Sequence, residues 1–132
     1  MIYKVVNNII RENDEGKRFI KDVYLSGLAD VELLDGADLK EFQPIDVRGL
    51  IDRNYSRVDN IYGCLKVAQE IEDALRRGKN PLVFCDGGLE RSPLAIAVWL
   101  SWMHNITLEF AYDLIKENKQ DIFRRNEWVT KR

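Results

Sequence analysis

The sequence predicts a single α/β domain, residues 1–132, with a central, mostly parallel sheet flanked by helices, and three observations carry that expectation. Strand-like runs and helical patterns alternate along the chain. The run Leu82, Val83, Phe84 has no polar alternation, as suits a strand covered on both faces. The stretch from Ser92 to Met103 is apolar all round, as suits a helix buried behind a sheet. With 132 residues and 45% hydrophobic content there is material for one core. No Pro/Gly/Ser-rich linker, internal repeat or low-complexity tract divides it.

The elements follow in order. MIYKVVNNII and KRFIKDVYLSG, rich in Ile, Val, Tyr and Phe, flank the polar RENDEG and predict a hairpin or two neighbouring strands. DVELLDGADLKEF mixes helix formers with Asp and Gly, which allows one or two short helices, and PIDVRGLID predicts another short strand. Ser56 and Asp59 form an S-x-x-D capping signature, after which Ile61, Cys64, Leu65, Ala68, Ile71 and Leu75 recur at helical spacing up to Gly78. KNPLVFC is the expected central strand. TLEFAYDLIKEN predicts an amphipathic helix with Thr107 as N-cap and Leu108, Ala111, Leu114 and Ile115 facing inward, and a last short helix is expected around Trp128. His104 reads as a surface residue and Trp99 and Trp102 as packing residues.

Composition narrows the function. Twenty basic against twenty-two acidic residues, a formal net charge of −2, exert no global pull on nucleic acid or an anionic membrane. Any anion site must be local. Cys64 and Cys85, with His104 as the only histidine, fit neither a disulfide framework nor a zinc cluster, so a reducing cytoplasm is the expected location. No leader pattern opens the chain, and the longest apolar stretch, Pro93 to Met103, is too short to span a bilayer. A monomer is expected.

The informative stretch is VFCDGGLERSPLAIAVWL, Val83 to Leu100. It joins the C-terminal end of the central strand to a helix N-terminus, where free backbone N–H groups and the helix dipole favour an anion. Gly87 and Gly88 allow the backbone to curl with its amides inward, so that Asp86, Gly87, Gly88, Leu89, Glu90 and Arg91 form a nest for phosphate oxygens. Arg91 can grip two equatorial oxygens with its planar fork, which lysine cannot do. Cys85 lies beneath the same anion, and the charges that bind phosphate would also lower its pKa. A thiolate below a bound phosphate is poised to attack phosphorus. Cys64, on the apolar face of its helix, reads as a core residue.

Cys85-Asp-Gly-Gly-Leu-Glu-Arg91-Ser92-Pro93 resembles the C-x5-R-S/T signature of the cysteine-dependent protein tyrosine phosphatases, most closely the small dual-specificity branch. The likeness extends to VYLSGLADVELL, to IYGCLKVAQEIEDALRRGKNPLVFC and to LEFAYDLIKENKQDIFRRNEW, with about residues 35 to 55 shortened. The resemblance implies that Cys85 forms a phosphocysteine, that Arg91 holds the phosphoryl oxygens, and that Ser92 stabilises the thiolate as it leaves. It implies no metal or other cofactor, and phosphorylated proteins as substrates. It also implies an aspartate acting as general acid and then general base. Asp52, in the polar segment DRNYSR after the last strand-like run, is the choice; Asp59 is better explained as a capping residue, and Asp46 falls inside the strand.

Two departures bear on activity. Phe84 stands where the family usually has histidine, which removes a hydrogen bond that helps order the loop, so the thiol is expected to titrate higher than in relatives that keep it. Asp86 and Glu90 place carboxylates in the loop, each expected to repel a bound anion by roughly 0.5 to 2 kcal/mol at about 8 Å. The leading expectation is hydrolysis of phosphotyrosine, and of phosphoserine or phosphothreonine, in proteins. The alternatives are a non-catalytic phosphoresidue-binding module, or a phosphatase acting on RNA 5′-phosphates or inositol lipids, which would favour extra basic residues around the pocket.

Overall fold

The polar segment between the first two apolar runs closes as a turn, because the Asn13 side-chain oxygen accepts from the amides of Glu15 and Lys17 at 3.0 and 2.9 Å and Gly16 takes a φ of +81°. The turn joins β1 (Tyr3–Glu12) to β2 (Arg18–Gly27) as an antiparallel pair, in a computed structural model that describes residues 1–130. The pairing slips within β1, where Asn8 adopts a φ of +58° and its amide donates to Asp22 Oδ1 at 2.9 Å.

Two single-turn helices, α1 (Leu28–Val31) and α2 (Asp38–Glu41), lead to β3 (Phe42–Asp46). The strand thus begins before PIDVRGLID and ends within it. Beyond Asp46 the chain leaves the sheet, and Val47 and Ile51 are buried in the connecting loop. The rest is α3 (Arg57–Arg76), β4 (Asn80–Cys85), α4 (Arg91–His104), α5 (Leu108–Lys116) and a 3-10 turn at Asn126–Trp128.

The sheet order is β1-β2-β4-β3, with β4 parallel to both neighbours. Leu82, Val83 and Phe84 are buried, as their unbroken apolar run requires of a central strand. Gly27 pairs with Cys85, and Asp46 pairs with Phe84, so three carboxyl ends finish together. In an open α/β sheet the crevice outside those ends is where ligands bind. The expected α/β domain with its mostly parallel sheet is therefore observed, β1 being the antiparallel exception.

Helix α3 packs on all four strands and on α4. Its start is capped as the signature predicts, Ser56 Oγ accepting from the Asp59 amide at 3.0 Å, and beyond its end Gly78 takes a φ of +75°. Cys64, Ala68, Ile71 and Leu75 are buried as the spacing predicts, and Val67 and Ala74 widen that face; Leu65, at its edge, is 42% exposed. Gly63 lies on the same buried face. A Cβ there would lie 1.9 Å from Leu50 O, so the helix backbone presses directly on the loop that precedes it.

Thr107 caps α5 through the Phe110 amide at 3.1 Å. Ala111, Tyr112 and Ile115 are buried beneath it, whereas Leu108 and Leu114 are only half-buried. Trp102 is 45% exposed and does not pack as expected; Trp99 is fully buried, with the exposed His104 ring edge-on to it at 5.9 Å.

One buried carboxylate joins the layers. Glu72, on α3, accepts from Arg11 Nε and Nη2 at 2.7 and 3.0 Å and from Trp99 Nε1 at 2.8 Å, linking β1 and α4. Burial pushes its pKa up, but the Arg11 and Trp99 hydrogen bonds and the charges of Arg11 and Arg76 outweigh burial and hold it below the usual glutamate value. Removing a carboxylate that leaves a part-buried guanidinium unpaired costs about 3–5 kcal/mol, so Glu72→Ala is expected to lower the urea midpoint by that equivalent with little change in slope. The stabilisation is complete above the ordinary glutamate pKa of about 4.3 and is lost as pH falls through the lower folded-state value. Glu72→Gln should flatten that acid limb in urea titrations.

Candidate active site

Strand β4 delivers Cys85 to the end of the sheet, and residues 86–90 carry the chain around to α4. The turn rests on the end of β2. Gly88, with a φ of +70°, lies so close that a Cβ would sit 2.9 Å from the carbonyl carbon and oxygen of Ser26. A Cβ on Gly27 would sit 2.7 Å from Asp86 O, which accepts from the Leu28 amide at 3.1 Å. Two glycines on facing backbones therefore permit one close approach. Gly87 is different: its side meets only Leu89 carbons, at 3.8 Å and beyond, so the glycine pair of the sequence divides into one structural requirement and one permissive position.

This approach aims the Gly88 amide at the Cys85 sulfur, 3.3 Å away. Ser92, fully buried in the first turn of α4, places its Oγ 3.2 Å from the same sulfur. Burial pushes the Cys85 pKa up, but the Ser92 hydroxyl, the amides of Ser92 and Gly88, and the Arg91 charge together bring it below the usual thiol value. Cys64 has burial without those donors and is pushed up to about 12. The fold thus holds one thiol poised to ionise and one that is inert. The Ser92 hydroxyl, which the resemblance assigns to the departing thiolate, already contacts the sulfur.

Arg91 donates from Nη1 to Arg48 O at 3.1 Å and from Nη2 to Asp86 Oδ2 at 2.8 Å. Arg48 is fixed in turn by Asp46, with contacts of 2.8, 3.0 and 3.2 Å, and reaches Asp86 Oδ1 at 3.5 Å. Its guanidinium lies over the Phe84 ring at 5.9 Å, so Phe84 acts as a platform for a cation. Glu90 pairs with Arg125 at 2.7 Å, and the Phe123 amide donates to Leu89 O at 2.9 Å, tying the C-terminal segment to the loop. Asp86 and Glu90 each face an arginine, which offsets part of the repulsion expected of them. The sequence places Arg48 and Arg125 far from the loop, and only the ends of β3 and the C-terminal segment bring them to it.

The profile of the dual specificity phosphatase catalytic domain matches residues 28–131. The chain belongs to the dual specificity phosphatase family. Among solved structures, this phosphatase domain is similar to Tk-PTP in its active form, with 20% identity over 83% of this chain and 86% of that one and a TM-score of 0.56. It is similar to PTPMT1 in complex with PI(5)P, with 18% identity, coverage of 81% and 85%, and a TM-score of 0.57. It also resembles the human tyrosine phosphatase-like serine/threonine/tyrosine-interacting protein, with 15% identity, coverage of 81% and 85%, and a TM-score of 0.58. No curated protein sequence matches significantly.

In this phosphatase domain Cys85, Asp86, Gly88, Arg91 and Ser92 come together in one cradle. Of the three candidate aspartates, Asp46 touches this cradle, through Arg48. Asp46, at the end of β3, is held below its usual pKa by the Arg48 hydrogen bonds, with burial opposing. Asp59 is exposed in the first turn of α3. Asp52 lies half-buried in the loop between β3 and α3, and among the described residues its carboxylate has no hydrogen-bond partner. Its backbone is clamped by the buried Asn60, which accepts from the Asp52 amide at 2.9 Å and donates to the Asp52 carbonyl at 3.0 Å and to Trp128 O at 3.3 Å. Asn60 reads in sequence as an ordinary helix residue. Among the described residues no cluster of His, Cys, Asp and Glu is placed to hold a metal ion, and no helix is long and apolar enough to cross a membrane.

The loop geometry separates its glycines. Gly88→Ala is expected to lose the 3.3 Å amide contact and slow iodoacetamide alkylation of Cys85 at neutral pH, whereas Gly87→Ala should alkylate within about twofold of wild type. Ser92→Ala should shift the alkylation profile to higher pH, because the lowered pKa depends on its hydroxyl.

Proposed function

We propose that the protein hydrolyses phosphotyrosine in proteins, with phosphoserine and phosphothreonine as further substrates, through a phosphocysteine intermediate and without a metal. The observation that supports this most directly is the Cys85 sulfur, 3.2 Å from Ser92 Oγ and 3.3 Å from the Gly88 amide, at the floor of a loop that ends in Arg91. A module that only bound phosphate would need the loop amides and the arginine, but not a thiol tuned by two donors.

The Cys85 thiolate attacks phosphorus, an S–P bond forms, and the P–O bond to the substrate breaks. Asp52 passes its proton to the leaving oxygen. The Asp52 carboxylate then takes a proton from water, whose oxygen attacks phosphorus, and the S–P bond breaks to release phosphate. The Ser92 hydroxyl donates to the thiolate as it returns. Arg91 and the amides from Asp86 through Arg91 hold the equatorial oxygens and balance the charge that develops there. A reducing compartment such as the cytoplasm suits a reactive free thiol. Asp46 and Asp86 at the mouth weigh against polyanionic headgroups and RNA ends, which favour a basic surround.

With an aryl phosphate, Cys85→Ser is expected to abolish turnover, and Arg91→Lys to fail likewise, because a point charge cannot replace the bidentate grip. Asp52→Ala should slow hydrolysis of phosphotyrosine by about 10²- to 10⁴-fold, and that of an activated aryl ester far less, since its leaving oxygen needs no proton. If Asp59→Ala shows that dependence on leaving group and Asp52→Ala does not, the general acid is misassigned.

A further inference from the structure

We propose that Asp86 is a specificity-determining residue: it holds Arg91 as a stand-in anion until a substrate phosphate displaces it, and its released carboxylate then favours a lysine or arginine beside the phosphoresidue. The inference rests on the phosphatase reading of the loop. It starts from the contact between Arg91 Nη2 and Asp86 Oδ2 at 2.8 Å, in which a carboxylate occupies a donor that a phosphate dianion also requires. Phosphate carries up to twice the charge of a carboxylate and accepts from the arginine fork at two oxygens, so it takes Arg91 from Asp86. The Asp86 side chain is 65% exposed, which leaves it free to swing into water.

Displacement changes the charge at the mouth. Before it, Asp46 and Asp86 face Arg48 and Arg91, two carboxylates against two guanidiniums. After it, Arg91 belongs to the phosphate, and Asp46 and Asp86 share Arg48 alone. Asp46 already holds Arg48 at 2.8 Å, whereas Asp86 reaches it only at 3.5 Å. One negative charge is therefore left over, on the most exposed of these four side chains. Glu90 adds nothing to the surplus, because Arg125 retains it at 2.7 Å. A cation on the residue flanking the phosphoresidue answers that charge, and an anion there meets repulsion.

The test uses fluorescent phosphotyrosine peptides identical except for Lys, Ala or Glu next to the phosphotyrosine, bound to the Cys85→Ser protein and measured by anisotropy. The Lys peptide is expected to bind about two- to fivefold more tightly than the Glu peptide at low salt, and the gap should narrow as salt is added. In the Cys85→Ser/Asp86→Asn double variant the gap should close, while inorganic phosphate competes more strongly, because Arg91 no longer has an internal anion. Equal or absent binding of the peptides, a reversed order, or a gap that survives Asp86→Asn overturns the proposal. Aryl phosphate turnover by the unsubstituted protein is read separately: no turnover with the ranking intact removes the hydrolase reading and leaves the selectivity of Asp86 supported.

Discussion

The close approach of two backbones, the loop after β4 and the end of β2, is the constraint on which the site depends. Gly88 against Ser26, and Gly27 against Asp86, bring the chain segments nearer than any pair bearing Cβ atoms could come. That approach directs the Gly88 amide to the Cys85 sulfur, and it is possible because Gly27 and Cys85 stand opposite each other in parallel strands. A hydrogen-bond donor that belongs to the backbone cannot be misplaced by a rotamer change, so the thiolate is stabilised by the fold itself.

Charge is arranged around the loop by the same economy of position. The buried thiol would be neutral in an apolar setting, as Cys64 is, and the difference lies in donors that α4 and the loop supply. Of the acidic residues that enter the loop, Glu90 is matched by Arg125 from the C-terminal segment, and Asp86 by Arg91 of the loop itself, with Arg48 after β3 further off. Phe84 contributes its ring to Arg48 in place of a polar side chain next to the cysteine. Of the two loop carboxylates, Glu90 stays paired when an anion binds, whereas Asp86 shares its arginine with the ligand.

How much of this was legible in the sequence follows from how local each signal is. The strand before Cys85, the caps at Ser56 and Thr107 and the cysteine-to-arginine spacing are written within a few residues, and the fold displays all of them. Most of the buried face of α3 was legible, but its edges were not: Leu65 is exposed, and the seating of Gly63 against Leu50 depends on a loop outside the helix. The two glycines of the loop looked equivalent, and only the nearness of Ser26 distinguishes them. Arg48, Asn60 and Arg125 act through partners remote in sequence, and no spacing rule marks them. Asp52 was singled out by its loop, and the structure adds the Asn60 clamp on its backbone.

The central claim is that Cys85 itself accepts the phosphoryl group. Rapid acid quenching during turnover of an aryl phosphate, followed by mass spectrometry of the peptide that contains Cys85, tests it most directly. The account predicts a single phosphoryl group on the Cys85 sulfur that appears with substrate and decays as substrate is exhausted. Steady turnover with no adduct on that sulfur, or with the phosphoryl group on another residue, would contradict it.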